Sequence, residues 1–215
     1  MLDAALIEKC ADPSLTPAIV ERFVEAVGSP DPLAITVKSG GRLILVPKPK
    51  SADEAMSIIR ENIGRAVVRV GLTQFPAGVG VKDATALKPD LVDACENLRM
   101  GTRMFAKAMR IVAKWYGNPT GKEVLPQIFD DAVYSWKTGE FEGASVFQAE
   151  DPGTGWAMPS TANVKIDPDT ASEDTTGRDA VENGPSDDAQ PEEKSAGDDT
   201  GNAGIRIDLS RINGK

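Results

Sequence analysis

Apolar residues recur at helical spacing in five stretches of the chain, with one β-branched segment between the second and third. Leu2, Leu6 and Cys10 stand four apart and predict a short helix over residues 2–10. Thr16 suits an N-cap and Pro17 a first helical position. The stripe Ile19, Val20, Phe23, Val24 and Val27 then predicts a second helix, ended by Gly28, Pro30 and Pro32. Ile35 to Val46 is β-branched on both sides of Ser39-Gly40-Gly41, the pattern of a hairpin. Ser51-Ala52-Asp53-Glu54 reads as a capping box ahead of Ala55, Met56, Ile58 and Ile59, so a third helix runs to about Gly64. Val67, Val68 and Val70 form an extended approach to Gly71-Leu72-Thr73-Gln74, followed by a loop with Pro76, Gly78 and Gly80.

The longest helix is expected between Leu91 and about Gly117. Its inner candidates are Leu91, Cys95, Leu98, Met104, Phe105, Ile111, Val112 and Trp115. Gly101 interrupts it, and a mid-helix glycine costs about 1 kcal/mol against alanine, so close approach of another helix is expected there. A last helix covers about Val124 to Trp136. The expected class is α+β, mainly α.

Charge divides the chain. Residues 1–150 hold 18 Lys+Arg and 19 Asp+Glu, whereas residues 151–215 hold 6 and 14, so most of the net charge of −9 lies at the back. Residues 160–204 carry almost no large apolar side chains and are expected to be disordered. Ile205, Ile207, Leu209 and Ile212 then form a small apolar island, read either as a frayed end or as a docking segment for a partner. The domain plan is therefore a folded unit over 1–150 and an acidic tail over 151–215.

Composition excludes several functions. With no histidine, Ser-His-Asp and Cys-His catalysis and most zinc sites are out, and two cysteines are too few for a zinc cluster. No metal or cofactor is expected. No basic face suits nucleic acid, and no run reaches the ~20 apolar residues of a membrane span. No signal peptide is evident at the start, which favours the cytoplasm.

Several segments resemble, in order, the lytic transglycosylases of type IV secretion and conjugation systems. They are Cys10-Ala11 with Pro17, Asp31-Pro32-Leu33-Ala34-Ile35, Gly71-Leu72-Thr73-Gln74, Asp93-Ala94-Cys95-Glu96-Asn97 with Gly101, and Thr138-Gly139. The whole chain also resembles the TraH proteins of conjugative plasmids. The resemblance implies a lysozyme-like domain with a hairpin insertion, acting on or binding peptidoglycan glycan strands or secretion-channel proteins. It also implies a Cys10–Cys95 disulfide and hence the periplasm, against free thiols in a cytoplasmic adaptor.

The family's single catalytic glutamate falls on Val27, counted forward from Pro17 or backward from Asp31-Pro32, and the serine after it falls on Gly28. Valine transfers no proton, so the expectation leans to a non-catalytic protein. Glu25 is the fallback acid, but it lies nearly opposite the apolar stripe, where a surface charge pairing with Arg22 is the plainer role. The family's Tyr-Asn is Trp136-Lys137 and its groove methionine is Thr73. Gln74, Thr73 and Trp136 are the glycan-binding candidates, with a loop-capping amide as the other role for Gln74. Trp115 and Tyr116 offer rings for sugar stacking, though Trp115 is expected in the core.

Overall fold

The computed structural model describes residues 2–81, 83–153 and 155–156, all within one compact unit. The acidic stretch 160–204 and the apolar island at 205–212 lie outside the described residues.

The helices form where the apolar spacing places them. Helix α1 is Ala4–Cys10, with Asp3 accepting from the Ala5 amide; its inner face is Ile7 and Cys10, while Leu2 and Leu6 are half-buried. Helix α2, Pro17–Val27, buries Ile19, Val20, Phe23 and Val24. Strands β1 (Ile35–Ser39) and β2 (Arg42–Ile44) form the hairpin, closed through Gly40 and Gly41 at φ 54° and 78°. Helix α3, Ala52–Asn62, starts at Ser51, whose Oγ accepts from the Glu54 amide. The reciprocal bond of this cap comes from the Lys50 amide to the Glu54 carboxylate, 2.8 Å long.

Strand β3 (Val67–Val70) pairs antiparallel with β1, and β4 (Phe75–Pro76) pairs with β3. The sheet order is β2-β1-β3-β4, with β2 at one edge. Val37, Val68 and Val70 bury one face of it against the helices.

The long helix α4 is Ala94–Trp115, preceded by a 3-10 turn at Pro89–Val92. It begins later than the apolar pattern alone suggests, because Asp93 caps it by accepting from the Glu96 amide. Its buried face carries Leu98, Phe105, Met109 and Val112, with Gly101, Ala106 and Ala113 between them. Trp115 is 59% exposed, a correction to its expected place in the core. It stands at the last turn of α4, where its ring meets Tyr116 and Phe141 edge-on. Helix α5, Leu125–Thr138, ends at Gly139 in the left-handed conformation. A further hairpin of β5 (Glu140–Phe141) and β6 (Ala144–Ser145) follows.

Five helices and these two small sheets make an α+β, mainly helical fold among the described residues. At its centre Phe23 stacks on Phe105 at 3.9 Å and Trp136 meets Phe23 edge-on at 5.1 Å. Cys10 and Cys95 form a disulfide that ties α1 to the start of α4. It closes 85 residues of sequence, which corresponds to about 4.5 kcal/mol on the chain-entropy estimate.

Candidate functional site

The turn Gly71–Gln74 is the point where the sheet, α2, α4 and α5 converge. Gly71 has φ 74°, and a Cβ there would lie 2.4 Å from the Asn97 amide nitrogen, so the site needs glycine twice over. Asn97 is fully buried on the first turn of α4. Its Nδ2 donates to the carbonyls of Val70 and Leu91, and its Oδ1 accepts from the Thr73 amide and hydroxyl. Both ends of the side-chain amide are thereby occupied, and the turn is bolted to the helix.

Gly101 faces the same turn. A Cβ at that position would stand 2.2 Å from Thr73 Oγ1, so the mid-helix glycine admits a turn rather than the neighbouring helix expected from the sequence. Trp136, on α5, donates from Nε1 to the Thr73 carbonyl at 3.1 Å.

Gln74 adopts φ 49°, a left-handed conformation that costs a non-glycine residue about 1–3 kcal/mol. Three bonds hold it. Its amide and its Nε2 both donate to the Gly71 carbonyl, and its own carbonyl accepts from Arg69. Its side-chain amide thus closes the turn on which it stands.

The end of α2 meets this turn from the other side. The Ser29 amide donates to the Leu72 carbonyl at 3.0 Å, and a Cβ on Gly28 would lie 2.1 Å from that same oxygen. The serine of the enzyme pattern therefore has no room at position 28. Val27 is half-buried against the core. Glu25 is exposed, and Arg22, expected beside it, instead lies over the Phe129 ring at 4.6 Å.

The structure thus brings Val27, Thr73, Gln74 and Trp136 into one neighbourhood, while Glu25 points away. Thr73 and Trp136 have no exposed surface and Gln74 has 8%. An indole enclosed by Phe23, Phe105 and Phe147 has no free face for a sugar. Among the described residues, no buried side-chain nitrogen or oxygen is left without a partner. The hydrogen-bonding capacity in this cluster goes into holding elements together.

Two residues of the neighbourhood were not singled out from the sequence. Asn97 carried a signal only as part of the Asp93–Asn97 landmark. Arg69 carried a better one, a cation inside the β-branched run Val67–Val70. Its guanidinium donates to the carbonyls of Gln74, Trp136 and Lys137 and lies 5.9 Å from the Phe147 ring centre. Burial pushes its pKa below the ordinary arginine value, and no described carboxylate is within ion-pair reach of it. It stands at the edge of a cleft of about 720 Å³ between the outer face of the sheet and the β5–β6 hairpin.

Among the described residues, no group of three or more His, Cys, Asp or Glu side chains could hold a metal ion. Nor, among them, is any helix long and apolar enough to cross a membrane.

The fold and site define a small disulfide-tied α+β domain whose most motif-like segment is built into its core. The TraH_2 family model matches residues 1–214, and the chain belongs to that family, the TraH-type proteins associated with conjugal transfer. Uncharacterized protein y4dP of Sinorhizobium fredii is 62% identical over 218 residues, covering 100% of both chains. No solved structure matches.

Proposed function

We propose that this chain serves conjugal transfer as a non-catalytic accessory protein, on a frame derived from the lysozyme-like lytic transglycosylases. Its role is to bind a component of the transfer machinery. The observation that carries this reading is the end of α2. Val27 stands where the resemblance places the catalytic glutamate, and Gly28 lets the Leu72 carbonyl close over the position of the neighbouring serine.

A general acid must be a carboxyl group held in reach of the glycosidic oxygen with its pKa raised by burial. Val27 has no such group, and Glu25 is on the exposed side of the helix. The enclosed Thr73 and Trp136 give the same direction, since a glycan needs ring faces and polar groups that it can touch. The Cys10–Cys95 bond supports a location outside the reducing cytoplasm, where a wall-spanning transfer apparatus would meet the protein.

The test is genetic and biochemical together. Removing the gene from its plasmid should lower transfer frequency, and the wild-type chain and Glu25→Gln should restore it equally. Transfer indifferent to the removal contradicts the conjugation role. Restoration by the wild type but not by Glu25→Gln, with both proteins accumulating, contradicts the non-catalytic one.

A further inference from the structure

The outer face of the four-stranded sheet combines exposed apolar side chains with cations. In the register, Lys38 of β1 lies between Leu43 of β2 and Val67 of β3, so these three share one face. Leu43 is 60% exposed, Val67 56%, and Leu45, just past β2, 92%. Folded domains cover such side chains or use them. The cleft of about 720 Å³ opens on the same face, with Lys38, Val67, Arg65 and Arg69 in its lining.

The charge here is unlike the rest of the chain. Residues 32–50 hold Lys38, Arg42, Lys48 and Lys50 and no carboxylate, in a protein of net charge −9. Arg65 and Arg69 add to them from the adjoining strand and its approach. Of these cations, Lys48 is paired, with Asp31 at 3.1 Å. Arg69 is the deepest cation on this face, and carbonyl oxygens, not a carboxylate, surround it. Two carboxylates also line the cleft. Asp83 is turned back to cap the turn at Thr85, through that residue's amide and hydroxyl, and Glu140 is exposed.

We propose that this face is a docking surface for an acidic, partly apolar extended peptide segment of a partner protein. Its carboxylates meet Arg69, Arg65 and Lys38, and its apolar side chains cover Leu43, Val67 and Leu45. Charge selects this occupant. A second copy would set the same cations against each other, and like charges brought together oppose pairing. An anionic membrane has the right sign but is flat, whereas Arg69 is part of a concave cleft that a peptide side chain can enter. Among the described residues β2 is an edge strand, a place where an extended segment can add to a sheet.

The full-length protein would be titrated with a ten-residue peptide of alternating glutamate and valine, followed by calorimetry and by backbone amide shifts. Parallel titrations would use an alternating lysine–valine peptide and vesicles containing one-third anionic lipid. The glutamate peptide should bind, weaken as salt rises, and shift amides in 36–45 and 65–69. Arg65→Glu and Leu43→Ser, both at exposed positions, should each weaken it at least fivefold without changing the thermal midpoint by more than a degree or two. Absence of binding at millimolar peptide, equal binding of the lysine peptide, or unchanged affinity in both variants would overturn the proposal. Binding of the vesicles without the peptide would also overturn it, as would self-association that Leu43→Ser abolishes.

Discussion

Replacing Gly101 by alanine pits two opposed effects against each other at the centre of the fold. In an unhindered helix the change stabilises by about 1 kcal/mol, because alanine is the better helix former. Here the new methyl would stand 2.2–2.5 Å from three atoms of the Thr73 side chain. Thr73 cannot turn aside, since its amide and hydroxyl are fixed on Asn97 and its carbonyl on Trp136. Relief to ordinary van der Waals contact requires moving the turn by about an ångström. Inserting a methyl into so closed a place costs roughly 1–3 kcal/mol, and weakening two of those three hydrogen bonds falls in the same range at about 1 kcal/mol each.

Overpacking outweighs propensity, and the net loss is up to about 2 kcal/mol after the propensity gain of about 1 kcal/mol is subtracted. For a domain of this size that is a fall of up to roughly 8 °C in the thermal midpoint. The assay is thermal and urea unfolding of Gly101→Ala, Thr73→Gly and the double variant. In the Thr73→Gly background the clashing atoms are gone, so Gly101→Ala should become neutral or stabilising. A wild-type background in which Gly101→Ala raises the midpoint would refute the reasoning.

Reducing the Cys10–Cys95 bond, or replacing Cys95 by alanine, should cost about 4.5 kcal/mol. The thermal midpoint should fall by roughly 10–15 °C; an unchanged midpoint in reductant would contradict this. The Arg110 guanidinium holds the Asp151 carboxyl below its ordinary value of 3.8, so this pair's stabilisation is present above that value and lost as pH falls through the lower folded one. Asp151 is 41% exposed, so the contribution is under about 1 kcal/mol. Asp151→Asn should speed hydrogen exchange at Gly153, whose amide donates to that carboxylate, and the difference from wild type should vanish in strong acid. Equal exchange at neutral pH would contradict a role for this carboxylate in holding the Gly153 amide. Val27→Glu should lower stability by about 1–3 kcal/mol through a half-buried carboxyl and confer no wall cleavage; lytic activity in that variant would show an open groove.

Much of the fold was legible because it rests on local chemistry. The stripes of α2 and α3, the Pro17 start, the capping box and the Gly40-Gly41 hairpin turn each follow from residues within a few positions of one another. The β5–β6 hairpin was not legible. Its turn places Glu142 and Gly143 at φ 48° and 77°, and glutamate is not a residue that announces a left-handed turn. Trp115 misled because periodicity gives the direction of a side chain but not whether anything packs there, and α4 runs out of neighbours at its end.

In the site, Gly71 and Gly101 stood out in the sequence, and each has Asn97 or Thr73 packed where a Cβ would go. What escaped was depth, since Thr73 is buried by elements distant in sequence. Trp136 was recoverable. Leu125, Ile128, Phe129, Ala132 and Val133 place it on the apolar stripe of α5, a core position rather than a groove wall.

The most direct test of the central claim is muropeptide release from intact peptidoglycan sacculi by the purified, oxidised wild-type chain, read by mass spectrometry. No anhydromuropeptide should appear above a protein-free control. Release of anhydromuropeptides that Glu25→Gln abolishes, with the fold intact, would contradict that claim.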